Sequence, residues 1–326
     1  MATSTPTVAG VDGINLNVQK PRSLWGDAMR RLVRNRAAML GSAVVLIYIL
    51  IAIFAPLIAP KNPIEQPANN SLRPPVWVTD NPKRIPNPEN LFGTDNNGRD
   101  ILSRLIYGLR VSLIVGVAPQ VIIIGLGVTI GLISGFVGGW VDNLLMRITE
   151  IVASFPDLLF IITLTVAFRE TPFGKAFNGL LLIFTALAVV GWTGMARLVR
   201  GQVLSLKEKE FIEAAQALGI STRTILFRHV LPNAMAPIIV AVSFSIPGLI
   251  LNEAILTFLG VGMRPSVSSD NPLPTSLGQM MQEGYNNLSS GPWMLLFPVL
   301  MISTLVLSFT FLGDGLRDAL DPRDNG

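Results

Sequence analysis

Three acidic residues in or beside long apolar runs are the first candidates for chemistry in this chain. Glu150, Asp157 and Glu253 interrupt stretches rich in Leu, Ile, Val and Ala. Because an ionisable side chain is costly inside a membrane and often lines a pathway, Asp157 and Glu253 are candidate pathway residues. For Glu150, a local ion pair with Arg147, one helical turn earlier, is the simpler interpretation. A role in packing between helices explains Glu253 equally well. Asp157 follows Pro156, and its side chain can bond backbone groups that the proline leaves unpaired.

Cysteine and histidine chemistry has almost no residues to work with. None of the 326 residues is cysteine, and His229 is the one histidine. This composition excludes disulfides, thiolate nucleophiles and cysteine-bound metals, and it argues against a histidine-built metal centre. His229 could sense pH near neutrality, but a hydrogen-bonded residue at a helix end is the simpler interpretation. We expect no catalytic residue, no metal and no bound cofactor.

Nucleotide chemistry is not predicted either. The phosphate-binding pattern G-x-x-x-x-G-K-[ST] does not occur, and the pair Gly174-Lys175 is followed by Ala176. One apolar run carries four closely spaced glycines, but they favour close helix packing rather than a phosphate-binding loop: Gly125, Gly127, Gly131 and Gly135. The sequence therefore predicts a chain that does not hydrolyse ATP.

The composition indicates a membrane protein. Half the residues are hydrophobic and 14% are charged, with a mean hydropathy of +0.53, whereas soluble domains carry about 25% charged residues. Six apolar runs are long enough to cross a bilayer core of about 30 Å. They cover residues 38–59, 111–137, 145–168, 179–199, 236–259 and 292–313. We predict an all-α polytopic membrane protein with six transmembrane helices.

The distribution of basic residues predicts the topology. Arg30, Arg31, Arg34 and Arg36 precede the first apolar run, which lacks a cleavage pattern and is predicted to be retained. Residues 1–37 are then a cytoplasmic segment, 60–110 an extracytoplasmic loop, 111–313 a core with five spans and 314–326 a cytoplasmic tail. The Pro- and Asn-rich stretch 60–90 is predicted to be irregular. The net charge of +4 is spread out, so nucleic acid is not an expected partner.

The cytoplasmic loop 205–232 has the pattern of two short helices joined by a glycine turn. Ser205 and Glu208 fit a capping box, and Gly219 fits a left-handed helix end. Between them, four residues form one apolar stripe: Phe211, Ala214, Ala215 and Leu218. Ser221 or Thr222 can cap the second helix, which Pro232 is predicted to end. Such a stripe suits a groove on another protein.

The same loop resembles a known family signature. Glu213-Ala214-Ala215, then Gly219 and later Leu231-Pro232, is similar to the EAA motif of bacterial ABC-importer permeases. His229, two residues before Leu231, is similar to the dipeptide and oligopeptide branch. Segments 91–108, 253–262 and 313–322 also resemble that branch, and the external loop after the first span favours its C-type subunit.

The resemblance implies a type I ABC importer permease fold in which the loop is a coupling helix that docks into an ATPase. It implies ATPase-coupling roles for Phe211, Glu213, Ala214, Ala215, Leu218 and Gly219, with Gly219 structural and Glu213 a polar docking contact. It also implies a homologous second permease, two P-loop ATPases that use ATP and Mg²⁺, and an extracytoplasmic substrate-binding protein. The expected location is the bacterial inner membrane, among lipid, with both termini cytoplasmic.

Several alternatives stay open. The resemblance favours di- or oligopeptides as substrate, and nickel or glutathione is the main competitor. An ion-coupled secondary transporter would carry its own coupling charges and inverted repeats, which the sequence does not display. An intramembrane hydrolase would need a nucleophile and a base. Near the second predicted span, Asp95, Arg99 and Asp100 are expected to pair with one another and fix the external segment rather than to catalyse.

Overall fold

The computed structural model describes residues 24–79, 85–266 and 271–320 as helices joined by turns. The N-terminal half contains α1 (Leu24–Arg34), α2 (Arg36–Ile53), α3 (Ala55–Ile58), α4 (Ile101–Val137), α5 (Gly139–Ala153) and α6 (Asp157–Phe168). Next come α7 (Pro172–Lys175), a 3₁₀ turn (Ala176–Gly179), α8 (Leu180–Lys207), α9 (Glu210–Ala217) and α10 (Thr222–Ile225). A π-helical turn (Leu226–Val230) leads into α11 (Leu231–Phe258), α12 (Leu277–Asn286) and α13 (Trp293–Leu320).

Five helical runs in the described chain are long and apolar enough to span a membrane: Arg36–Ile53, Ile101–Val137, Pro172–Lys207, Thr222–Phe258 and Trp293–Leu320. The pair α5 and α6 is apolar enough to make a sixth when taken together, but it is bent by 80° at its break, as in a broken span or a re-entrant loop. Pro156 lies at this break, and a proline lacks the N–H that would continue the helix. The predicted all-α fold is confirmed, but residues 145–168 do not form one continuous helix.

Several helices extend beyond the apolar runs that predicted them. α4 begins at Ile101, ten residues before the predicted start, because Asp100 caps it and protein contacts bury Arg104 and Leu105. α13 continues through Leu320, so the described part of the expected tail, 314–320, is helical. Residues 1–23 of the expected N-terminal segment and 321–326 of the tail lie outside the described residues, as do Asp321 and Pro322 of the tail motif.

Glycines allow α4 to pack closely against α8. A Cβ on Gly131 would lie 2.6 Å from Val199 Cβ and 2.7 Å from the backbone oxygen of Ala196. Gly127 and Gly135 meet α8 in the same way, which confirms the packing role predicted for these three. The prediction was wrong for Gly125, which has open space around it. Because Gly125 is two residues from Gly127, it lies on nearly the opposite side of the helix.

Two hydrophobic cores hold the helices together. One joins α4, α6, α8 and α11, and it also includes Ile212 and Ala215 of α9. The other joins α2, α4, α11, α12 and α13, with Trp293 and Phe309 among its buried residues. Since α4 and α11 contribute to both cores, a displacement of either helix changes the packing of both cores.

Candidate functional site

The cytoplasmic loop predicted from sequence begins later than its capping pattern indicated. Ser205 lies inside α8, and Glu208 is the residue that follows its end. α9 starts after Lys209, which has an extended backbone and provides no side-chain cap. The predicted capping box is therefore wrong. α8 continues past Ser205 because Lys207 Nζ donates to the backbone oxygen of Phe136 at 2.8 Å and lies 5.6 Å from its ring centroid.

The predicted apolar stripe of α9 is divided between the inside and the outside of the protein. Ala215 is buried together with Ile212. Ile212 was not predicted as part of the stripe, but its spacing of three residues from Ala215 puts both on the same side of a helix. Phe211, Ala214 and Leu218 are exposed, with 80% of Leu218 accessible. The inward pair attaches α9 to the core, and the outward residues form what we call the α9 face: Phe211, Ala214 and Leu218.

Gly219 ends α9 as predicted. Its φ is +72°, a left-handed conformation that strains any residue with a Cβ. The N–H of Gly219 donates to Gln216 O at 2.9 Å, and that of Ile220 donates to Ala215 O at 3.1 Å. These bonds satisfy carbonyls that the helix end leaves open. Glu213 is exposed on the same helix, and no ion pair among the described residues involves it.

The second helix of the loop is continuous with a membrane span. Ser221 Oγ accepts the N–H of Thr224 at 3.4 Å, which confirms Ser221 as a cap. Pro232 was predicted to end this helix, and that prediction was wrong, because the helix continues through the π turn into α11. In the π turn the N–H of Leu231 bonds Leu226 O, and Asn233 Nδ2 donates to His229 O at 2.6 Å. These bonds give partners to carbonyl groups near Pro232, so the helix continues past a residue that has no N–H to donate.

A buried charge cluster fixes the external segment to the membrane helices. Arg99 Nε lies 2.6 Å from Asp95 Oδ2, and Arg104 Nη1 pairs with the same oxygen. Glu283 of α12 completes the cluster, with Oε2 lying 2.9 Å from Arg99 Nη2 and 2.6 Å from Arg104 Nη1. The predicted Asp95–Arg99 pair is confirmed. Asp100 instead caps α4, accepting the Ser103 N–H at 2.7 Å.

Glu283 is held in its charged form by this cluster. Burial opposes ionisation of the carboxyl group, but the charges of Arg104 and Arg99 outweigh it and lower the pKa of Glu283 below its ordinary value. The amide of Gln279 adds a donor at 3.1 Å to the other carboxylate oxygen. The segment around Asp95 is thereby fixed to α4 and α12 by ionic contacts. The described part of the stretch predicted to be irregular, 60–79 and 85–90, contains no helix.

The two candidate pathway residues lie in different surroundings. Glu253 is fully buried, and its Oε1 accepts the Thr257 hydroxyl at 2.8 Å. Thr257 Oγ1 in turn accepts the N–H of Met263 at 3.2 Å, so these contacts hold the turn that follows α11. Asp157 is exposed in the first turn of α6, at the break after α5. No hydrogen bond or ion pair in the described structure joins Glu253 to Asp157.

An ion pair that the sequence analysis missed lies near the end of α8. Arg200 Nε and Nη2 each lie 2.6 Å from one oxygen of Asp142 on α5, and Ser134 of α4 also bonds Asp142. The predicted Arg147–Glu150 pair is confirmed at 3.2 Å on the exposed side of α5. Only the register of α5 against α8 could have revealed the first pair, because 58 residues separate Asp142 from Arg200.

The described part of the loop combines three features that suit contact with another protein. It offers an exposed apolar face, an exposed carboxylate and a firm attachment to the core. Within the described ranges, no group of three or more His, Cys, Asp or Glu residues could hold a metal ion.

Comparison with known proteins shows extensive similarity. Residues 127–324 match the family described as binding-protein-dependent transport system inner membrane component, and residues 23–75 match the N-terminal TM domain of oligopeptide transport permease C. The chain is 41% identical to the oligopeptide transport system permease protein OppC of Haemophilus influenzae, covering 93% of this chain and 90% of that protein. It is 37% identical to the dipeptide transport system permease protein DppC of Bacillus subtilis, covering 94% and 88%.

A solved structure shares the fold at low sequence identity. A chain of the methionine ABC transporter MetNI, in an inward-facing conformation, superposes with a TM-score of 0.54 at 18% identity. The superposition covers 67% of this chain and 96% of the MetNI chain. The similarity to this chain is one of fold.

Proposed function

The chain belongs to the family of binding-protein-dependent transport system inner membrane components, and we propose that it is the C-type permease subunit of an ATP-driven importer of di- or oligopeptides. The observation that carries this proposal is the α9 face. Phe211, Ala214 and Leu218 are exposed on the helix that contains the EAA residues, while Ile212 and Ala215 attach the same helix to the core. The protein is an inner-membrane protein with several apolar spans.

In this proposal α9 acts as a lever. An ATPase subunit receives the α9 face in a groove, Glu213 makes a polar docking contact, and Gly219 provides the turn. Closure of the ATPase subunits around ATP displaces α9, and Ile212 and Ala215 transmit the displacement to α4, α8 and α11 through the shared core. The helices then switch between outward- and inward-facing states.

The chain does not hydrolyse ATP in this scheme. Two P-loop ATPase subunits use ATP and Mg²⁺, a homologous second permease completes the translocation path, and an extracytoplasmic binding protein delivers the substrate. The arginines at positions 30, 31, 34 and 36 support a cytoplasmic start of α2 through the positive-inside rule, and the proposed topology returns the C-terminal end of α13 to the same side.

The substrate class rests on the relatives. Both OppC and DppC are peptide permeases by name, and each aligns over nearly the whole chain. Nickel or glutathione remains the alternative substrate within the same architecture. Glu253 and Asp157 stay candidates for the pathway, with Asp157 the better placed because it is exposed.

Co-purification from native membranes in mild detergent tests the proposal. We expect one homologous permease and two P-loop ATPases to be recovered with the native chain. Glu213→Ala should weaken recovery of the ATPases, and Gly219→Trp should abolish it, because the left-handed turn would be strained and a large side chain would enter the docking surface. The second permease should be retained by both variants, which shows that they fold.

A stable chain that purifies with no ATPase, and that drives ion-coupled uptake by itself in vesicles, would replace this proposal with a secondary transporter. Uptake of labelled dipeptide, oligopeptide, nickel and glutathione by the complete complex would then separate the substrate alternatives.

A further inference from the structure

The helix α1 has three distinct sides, and the importer function explains none of them. Ala28 and Leu32 face the protein, where a Cβ added to Gly315 of α13 would lie 3.1 Å from Leu32 Cδ1. On the outward side, Met29 is 61% exposed and Val33 is 56% exposed. Beside these two, Arg30 and Arg34 are also exposed. One helix thus has a protein side, an apolar side and a basic side.

The position of α1 is fixed at the end of a membrane span. Asn35 breaks the helix with an extended backbone, and its side-chain oxygen caps α2 by accepting the N–H groups of Ala37 and Ala38 at 3.1 and 3.2 Å. Its amide also donates to Asp318 of α13 at 3.4 Å. The apolar side of α1 is therefore held within one residue of a helix that crosses the bilayer.

The exposed apolar surface continues from α1 onto that span. Met39 and Leu40, in the first two turns of α2, are 41% and 63% exposed, and they are followed by further exposed residues of the same span. Arg36, at the start of α2, adds a third exposed cation. Basic residues directly beside the cytoplasmic end of a membrane helix attract anionic headgroups, and an amphipathic helix there can lie in the interface.

We propose that α1 is an interfacial helix that binds anionic phospholipid, with Met29 and Val33 inserted among the acyl chains and Arg30, Arg34 and Arg36 against the headgroup phosphates. The occupant is a lipid surface rather than a protein because the apolar side is continuous with a lipid-facing span and is bordered by cations. The leaflet is the cytoplasmic one, on the orientation given under the proposed function.

Site-directed spin labelling tests the insertion directly. The chain has no cysteine, so Met29→Cys or Val33→Cys gives a single labelling site without other changes. We expect labels at both sites, in full-length protein in nanodiscs containing phosphatidylglycerol, to collide more often with oxygen than with a water-soluble nickel chelate. A label at exposed Arg223→Cys on α10 is the matched control and should favour nickel. Preference for nickel at positions 29 and 33 would overturn the proposal. Shielding from both reagents would also overturn it, by showing a protein partner.

The role of the arginines is tested with Arg30→Gln and Arg34→Gln together, in a chain labelled at position 29. Each basic residue near an anionic surface contributes about 1 kcal/mol, so their loss should shift the ratio of inserted to detached helix by roughly thirty-fold toward the detached state. Nanodiscs of phosphatidylcholine alone should give a shift in the same direction. Arg147→Gln with Arg223→Gln removes the same charge elsewhere and should leave the label inserted. An inserted label that responds to neither the arginines nor the anionic lipid would refute the headgroup assignment.

Discussion

Arg200 and Asp142 face each other as a two-point ion pair, with Nε to Oδ1 and Nη2 to Oδ2 both at 2.6 Å. The pair joins α8, which leads directly into α9, to α5, the first half of the broken span. Both side chains are partly buried, with 33% of Arg200 and 13% of Asp142 exposed. The contact therefore connects the proposed lever to the helix pair whose bend interrupts the membrane crossing.

Arg200→Lys should weaken this connection, because an ammonium group keeps the charge but loses the fork that matches both carboxylate oxygens. We expect a loss of about 1 kcal/mol in the free energy of unfolding in mixed micelles, together with slower transport by the assembled complex. The matched control is Arg147→Lys, whose partner Glu150 is exposed, and which should change neither quantity measurably. Equal effects of the two substitutions would show that the Arg200 pair has no special role.

Phe211→Ala and Ile212→Ala should separate docking from folding. Phe211 is exposed on the α9 face, so its loss should weaken ATPase binding by about 1–2 kcal/mol, roughly five- to thirty-fold, and leave the stability of the isolated chain unchanged. Ile212 is fully buried, so its truncation should cost about 2–5 kcal/mol of stability. Titration of the purified ATPase and unfolding of the isolated permease measure the two effects. The interpretation of α9 fails if Phe211→Ala destabilises the chain as much as Ile212→Ala.

Gly131→Ala should destabilise the protein, whereas Gly125→Ala should not. At position 131 the new methyl group would meet Val199 Cβ at 2.6 Å and a backbone oxygen at 2.7 Å, and overpacking of this kind costs about 1–3 kcal/mol. At position 125 nothing lies within 4 Å, and alanine is favoured over glycine in a helix by about 0.5–1 kcal/mol. Thermal inactivation of the two variants side by side makes the comparison, and a destabilised Gly125→Ala would contradict the packing described for α4 and α8.

Acid should loosen the external segment through Glu283. Its folded-state pKa is lowered, so its contribution to stability is complete above the unfolded value of about 4.3 and is lost as the pH falls through the folded pKa. Arg99 and Arg104 hold the ionised carboxylate, and Asp95 shares them. Glu283→Gln should remove this part of the pH dependence. Unfolding of both proteins between about pH 6 and pH 3 is the measurement, and parallel curves would exclude Glu283 as the titrating group.

The sequence predicted those features that depend on local chemistry. Gly219 ends α9 because a left-handed residue favours glycine, and Asp95 pairs with Arg99 because they are four residues apart. The apolar runs predicted the spans because a bilayer imposes a minimum length. In each case the interacting groups lie within a few residues or within one continuous hydrophobic stretch.

Features that depend on distant contacts were not predictable in the same way. Ser205 and Glu208 fit a capping box, but Lys207 bonds Phe136 on another helix and α8 continues past the pattern. Pro232 should end a helix by its own chemistry, yet a π turn accommodates it. The apolar stripe on α9 is divided because the core of the protein buries Ala215 and leaves Phe211 and Leu218 exposed. A periodic pattern shows that residues share one side of a helix, but it does not show which of them the rest of the chain will bury.

The charge cluster around Arg104 also constrains how the chain is made. Glu283 lies 179 residues after Arg104, and at ribosomal speeds of about 5–20 residues per second it emerges on the order of ten to forty seconds later. During that interval Asp95 is the carboxylate of the cluster already synthesised. Insertion of the early spans must therefore proceed with an incomplete ionic contact at the start of α4, and the arrival of α12 completes it. A chain truncated before α12 would keep only Asp95 opposite Arg99 and Arg104, so the ionic contact at the start of α4 would stay incomplete.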